Sequence, residues 1–150
     1  MAERARETGR QFAVMVLDLD RFKSINDTYG HAAGDAVLVE VARRLTSNLR
    51  GVDLIARIGG EEFLVALPDT TPEAAHATAE RLRRMVGETP VPLPQRMGST
   101  IVTLSIGMTV ANSPAGDMRQ VEELIGLADR ALLGAKTQGR NLVTVARSAA

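Results

Sequence analysis

The chain has no cysteine and no tryptophan, and its 150 residues include only one tyrosine, three phenylalanines and two histidines. Without a thiol there is no disulfide framework, no thiolate nucleophile and no Cys-ligated metal. Aromatics at 3% leave little with which to stack single-stranded nucleic acid, so no nucleic-acid partner is expected. A dominant charge sign is missing too: 18 basic and 18 acidic side chains give a formal net charge of zero. No global field then attracts nucleic acid or an anionic membrane, and any anionic ligand must be met by a local cluster. No apolar run approaches the ~20 residues of a membrane helix. The opening MAERARETGR lacks the apolar core of a signal peptide. A soluble cytoplasmic protein without membrane contact is the expectation. What is present is 45% hydrophobic residues, enough for one globular domain over 1–150 with a sizeable core.

Phe12 to Leu17 (FAVMVL) is a continuous apolar run of strand length, as in a central strand covered on both faces, and it exits into Asp18-Leu19-Asp20. RFKSINDTYGHAAGD reads as a polar, turn-rich segment. Ala36 to Leu45 has the apolar spacing of a helix, running to about Asn48 and ending near Arg50-Gly51. Strands near Asp53 to Ile58 and Glu61 to Leu67 are joined by Gly59-Gly60, a tight hairpin turn that calls for positive φ. Pro68 to Glu73 combines a strand stop, an N-cap and a proline at a first helical position, opening a helix from Ala74 to about Val86. Glu88 to Gly98, with three prolines, reads as the least ordered loop and a poor place for chemistry. A strand over Thr100 to Val110, an amphipathic helix over Asp117 to Thr137 ended by Gly139, and a short strand over Asn141 to Val145 complete the chain. This order predicts an α+β fold: a central, mostly antiparallel sheet of about five strands flanked by helices, in a palm-like or ferredoxin-like βαββαβ arrangement.

In RIGGEEFLVAL, residues 57 to 67, two glycines and two glutamates interrupt apolar strand sequence. In the predicted layout the exit of FAVMVL and the Gly59-Gly60 turn meet at one end of the sheet, which brings Asp18 near Glu61. Carboxylates converging there, with no histidine or cysteine nearby, are the hard oxygen donors that Mg²⁺ prefers when phosphates complete its shell. Taken one motif at a time, Asp18 and Asp20 read equally well as solvated loop acids, and Glu61 and Glu62 as an exposed hairpin tip.

Five blocks in order lift that ambiguity: DLDRFKSINDTYGHAAGD (18 to 35), R-x-x-D (Arg50 to Asp53), RIGGEEF (57 to 63), TLSIGM (103 to 108) and ADRALLGAKTQGRN (128 to 141). From about Phe12 to Val145 the chain resembles the GGDEF family of diguanylate cyclases. The resemblance implies condensation of two GTP into cyclic di-GMP with loss of two pyrophosphates. It implies a pair of Mg²⁺ or Mn²⁺ ions per active site, held by Asp18, Glu61 and the Leu19 carbonyl, with Glu61 also able to receive the hydroxyl proton and Glu62 supporting the metal shell. Side chains at Gly59 or Gly60 are expected to obstruct the turn and to keep the nucleotide from the backbone. The amides of Phe22 and Lys23, where strand turns into helix, are placed to cradle phosphate. Asn26 and Asp35 match the guanine contacts of the family, and His31 a further substrate contact; turn chemistry for Asn26 and a helix cap for His31 are the plainer readings. Lys136 and Arg140 match its terminal-phosphate cations, although a lysine in a last helical turn is also expected from the macrodipole. Leu133 stands where the family usually has tyrosine.

By the same resemblance Arg50 and Asp53 form an inhibitory site for cyclic di-GMP, with Arg81, or else Arg83 or Arg84, as a secondary basic contact. The family's D-x-L-T-G-L-x-N-R-R opening is not found, so MAERARETGR is read as the remnant of the helix before the first strand, in a fragment of a longer regulated protein. Each domain holds one GTP, so catalysis requires a homodimer, expected to be weak in this chain or mediated by product. Two other classes stay open: a module that senses cyclic di-GMP or GTP without turnover, and a class III-type purine nucleotide cyclase, against which Asn26 and Asp35 argue.

Overall fold

A computed structural model of the chain describes residues 11–112 and 118–146. The proposed helix remnant at 1 to 10 and the predicted helix start at Asp117 lie outside the described residues. Strand β1 (Phe12–Leu19) is buried along almost its whole length, as its unbroken apolar run requires. Its side chains alternate between two cores: Ala13, Met15 and Leu17 face one cluster, Val14 and Val16 the other.

Helices α1 (Phe22–Tyr29) and α2 (His31–Ser47) follow, then β2 (Leu54–Arg57) and β3 (Glu62–Leu67). Next come α3 (Pro72–Gly87), a two-stranded ribbon of β4 (Val91–Pro92) and β5 (Ser99–Thr100), β6 (Leu104–Ala111), α4 (Met118–Thr137) and β7 (Val143–Val145). The five-stranded sheet runs β2-β3-β1-β6-β7, antiparallel except for the β6–β7 pair. Helices α1, α2 and α3 supply Phe22, Ile25, Val37, Val41, Ala79 and Leu82 to the first core, and α4 supplies Leu124, Ala128 and Leu132 to the second. This is the expected α+β architecture.

Three local readings are corrected. The stretch from Phe22 to Asp35 is helical, not turn-like. Its few apolar residues, Phe22 and Ile25 of α1 and Ala33 of α2, are spaced to bury against the sheet, and only Gly30, at φ 93°, breaks the two helices. Glu88 to Gly98 is an ordered ribbon with Val91 and Leu93 in the core. Its polar backbone is held by buried Arg44, which donates to the carbonyls of Val86 (2.9 Å), Thr89 (2.7 Å) and Pro90 (2.9 Å). Gly59 and Gly60 are not among the positive-φ residues, and a Cβ at Gly60 would meet nothing within 4 Å. The hairpin closes through the Ile58 amide on the Glu62 carbonyl at 2.9 Å, a wider loop than a two-residue turn, so obstruction of the turn is not what those glycines avoid.

Helix α3 opens as expected: Thr71 caps the Ala74 amide at 3.1 Å and Pro72 takes the first turn. Helix α4 lies directly on β6. A Cβ on Gly107 would come within 2.1 Å of the Ala128 carbonyl oxygen and 2.2 Å of the Leu132 nitrogen. That close approach seats the last turn of α4 over the exit of β1.

Candidate active site

The antiparallel register sets Asp18 of β1 opposite Glu62 of β3 and opposite Ser105 of β6. The Leu19 amide donates to the Glu61 carbonyl at 3.2 Å, which fixes the hairpin tip against the strand exit. Asp18 lies on the α4 face of the sheet, 6% exposed, and Lys136 from the last turn of α4 donates to its Oδ2. Its Oδ1 is buried without a hydrogen-bond partner.

Three carboxylates therefore share one ammonium. Burial, and then the charge of Asp18, raise the pKa of Glu61; the same two causes raise Glu62, with Asp129 and Glu61 adding to the repulsion and Lys136 opposing it. Burial alone would favour a neutral Lys136, but its bond to Asp18 and the charges of Asp18, Glu62 and Glu61 outweigh this and push its pKa up. Among the described residues no three acids or histidines are gathered as a ready metal cage. An unbonded buried oxygen, a surplus of negative charge and an all-oxygen donor set nevertheless fit a hard divalent cation.

Phe22 and Lys23 open α1, so their amides have no acceptor within the helix, and Arg21 before them, at φ 57°, provides no side-chain cap. The Lys23 side chain points outward to Asp27 at 3.6 Å. Asn26 lies at the junction of α1 and α2, half-buried, and Gly34 is what admits it: a Cβ there would sit 1.8 Å from Asn26 Oδ1. Asp35, the next residue on α2, and His31 at the start of that helix are both exposed. His31 does not cap α2, because the capping position belongs to Gly30. Leu133 is 65% exposed on α4, one turn before Lys136.

Arg50 and Asp53 lie beyond the other end of β2 from the hairpin tip, and the strand separates them from Asp18 by four residues at ~3.3 Å each, plus the loops. Arg50 Nη2 donates to Asp53 Oδ1 at 2.7 Å and to the Pro68 carbonyl at 2.7 Å, while its amide bonds Asp53 Oδ2 at 2.7 Å. Arg81 reaches the Asn48 carbonyl at 2.9 Å, on the same edge. Arg83 instead donates to Asn141 Oδ1 at 3.0 Å, on the active-site side of α3.

Sequence reasoning gave no role to Thr103, Ser105, Asn141 or Gly34, and its reading of Asp20 as a solvated loop acid is overturned by burial. Asp20 is buried and accepts from Thr103 Oγ1 (2.6 Å), Ser105 Oγ (2.6 Å) and the Asn141 amide (3.1 Å). The hydroxyl pair at 103 and 105, one strand step apart in TLSIGM, was the available signal.

A family model described as the diguanylate cyclase GGDEF domain matches residues 1–142. The chain is 43% identical to diguanylate cyclase A of Treponema denticola over 95% of its own length and 37% of that protein's. It is 42% identical to the response regulator PleD of Caulobacter vibrioides over 95% of its own length and 31% of that protein's. It thus spans about a third of these curated relatives. Among solved structures, the GGDEF domain of DgcB from Caulobacter crescentus, in complex with c-di-GMP, is 32% identical with a TM-score of 0.85, covering 98% of this chain and 82% of that one. The active GGEEF domain of a diguanylate cyclase from Vibrio cholerae is 30% identical with a TM-score of 0.80, covering 99% and 90%. With sequence and sheet matching over nearly its whole length, the chain belongs to the GGDEF domain family of diguanylate cyclases.

Proposed function

We propose that this domain condenses two GTP into cyclic di-GMP, releasing two pyrophosphates. The observation that carries the reading is the buried, unbonded Asp18 Oδ1 beside Glu61, Glu62 and Lys136 at one sheet end. Asp18, Glu61 and the Leu19 carbonyl would hold Mg²⁺ or Mn²⁺, two ions per site, with Glu62 supporting them. Such ions supply charge neutralisation at phosphate oxygens and lower the pKa of a coordinated hydroxyl.

The remaining work belongs to the chain's own groups. Asn26 and Asp35 satisfy the guanine edge, an amide accepting and donating while the carboxylate accepts from N1-H and N2-H. His31 at the start of α2 adds a further contact. Gly59 and Gly60, exposed and without side chains, let ribose and phosphate approach the hairpin backbone. The free amides of Phe22 and Lys23 meet phosphate oxygens, and Lys136 and Arg140 balance the terminal phosphates. In the reaction the 3′-oxygen of one GTP bonds the α-phosphorus of the other, the bond from that phosphorus to the bridging oxygen breaks, and pyrophosphate leaves. Glu61, at the hairpin tip, takes the hydroxyl proton.

Each domain presents one nucleotide, so two copies must meet face to face. GTP as substrate implies the cytoplasm. Arg50 and Asp53, with Arg81 on the same edge, bind cyclic di-GMP as an inhibitor: Arg50 exchanges its internal bonds for guanine or phosphate. Incubation with GTP and Mg²⁺ followed by nucleotide chromatography tests the reading. Wild type should form cyclic di-GMP and Glu61→Gln should form none; binding without any turnover would instead mean a sensory module.

A further inference from the structure

Behind the carboxylate cluster lies a group of side chains that none of these steps uses. Asp20 is 8% exposed, and its carboxylate is met by neutral donors. Oδ1 accepts from Ser105 Oγ at 2.6 Å; Oδ2 accepts from Thr103 Oγ1 at 2.6 Å and from the Asn141 amide at 3.1 Å. That amide also reaches Ser105 Oγ at 3.3 Å, and Arg83 of α3 holds Asn141 Oδ1 at 3.0 Å from the other side.

What these bonds hold is unusual backbone. Arg140 and Asn141 are consecutive non-glycine residues in the left-handed region, at φ 68° and 54°. Residues other than glycine stay there only when their surroundings fix them. The Arg140 amide closes the end of α4 by bonding the Ala135 carbonyl at 2.9 Å, so this turn and the last turn of the helix, which carries Lys136, are one unit. Asp20 in turn is tied to the residue that leads into β6, through its own amide on the Thr103 carbonyl at 2.9 Å.

We propose that Asp20 is a positioning residue for the terminal phosphates of the substrate: it locks the Arg140–Asn141 turn and so fixes where Lys136 and Arg140 stand relative to Asp18. This rests on the GTP reading above. The three residues from Asp18 to Asp20 then set both halves of the site, the carboxylates directly and the phosphate cations through Asn141. A carboxylate suits the task because three donors converge on its two oxygens, and charge makes such bonds short. An amide offers a single oxygen and turns a donor toward a donor.

The test compares binding of 3′-deoxy-GTP, which lacks the attacking hydroxyl, with binding of GMP, both with Mg²⁺, in wild type, Asp20→Asn and Ser105→Ala. A displaced cation pair should weaken 3′-deoxy-GTP about tenfold in Asp20→Asn, below the roughly 100-fold that a 1 Å misplacement can cost. GMP affinity should stay within about twofold, since Asn26 and Asp35 are untouched. Ser105→Ala removes one donor and keeps the charge, so it should move the same ratio less. Hydrogen exchange at the Asn141 amide should accelerate in Asp20→Asn. An unchanged ratio of the two affinities, whether both fall together or neither falls, overturns the proposal. A wild type that binds neither nucleotide overturns the GTP reading itself, a different failure from variants that bind as wild type does.

Discussion

Asp18 has one oxygen on Lys136 and one oxygen on nothing, so its neighbours decide whether its charge is tolerated. Lys136→Met leaves that carboxylate uncompensated beside Glu61 and Glu62. Because the lysine side chain is 33% exposed, the loss should fall below the ~3–5 kcal/mol of breaking a fully buried pair. Thermal melting of metal-free protein should record it, and added Mg²⁺ should recover more stability in the variant than in wild type. An unaltered melting temperature would mean that the pair does not matter to the fold. Glu40 shows the opposite electrostatics. Hydrogen bonds from Arg43 and then Arg44 lower its pKa from the usual 4.5 to about 2. A carboxylate held below its unfolded value stabilises the fold above pH ~4.5, and that contribution is lost as pH falls through about 2. Glu40→Gln should therefore melt lower at neutral pH and approach wild type in strong acid. Curves offset equally at every pH would contradict this.

At the scale of elements, Gly107 and Arg44 set how closely helices approach. Gly107→Ala drives a methyl into the backbone of α4, at 2.1 Å from the Ala128 carbonyl oxygen, so the cost should reach or exceed the ~1–3 kcal/mol typical of overpacking. Urea unfolding measures it; a loss under ~0.5 kcal/mol, the size of an ordinary surface substitution, would mean the helix can slide. Elements whose pattern is local were legible from the residues alone: FAVMVL as a two-faced strand, and Thr71-Pro72 as a helix start. Helix α1 was not, because only Phe22 and Ile25 are buried and its seat depends on Gly34 in the next helix. The 88 to 98 ribbon was not, because Arg44, which orders it, lies more than forty residues earlier. The acidic hairpin tip and Lys136 could be matched by family blocks, whereas Asp20 meets Thr103, Ser105 and Asn141 only after folding has closed separations of 83 to 121 residues.

For the whole molecule, zero net charge and a site of local charges leave two domains free to approach face to face. If each contributes one nucleotide, the rate per domain should rise with protein concentration and level off once pairs are complete; a rate per domain independent of dilution would contradict the dimer requirement. Arg50→Ala should raise the cyclic di-GMP concentration needed to halt turnover, and an unchanged inhibition curve would remove Arg50 and Asp53 from regulation. The shared grip of the strand exit and the hairpin tip on one cation is the central claim, and anomalous diffraction from crystals grown with Mn²⁺ and 3′-deoxy-GTP tests it most directly. The account predicts a manganese peak bridging Asp18 and Glu61, with the Lys136 ammonium moved off Asp18 toward phosphate. Bound nucleotide with no peak there and the Lys136–Asp18 pair intact would contradict it.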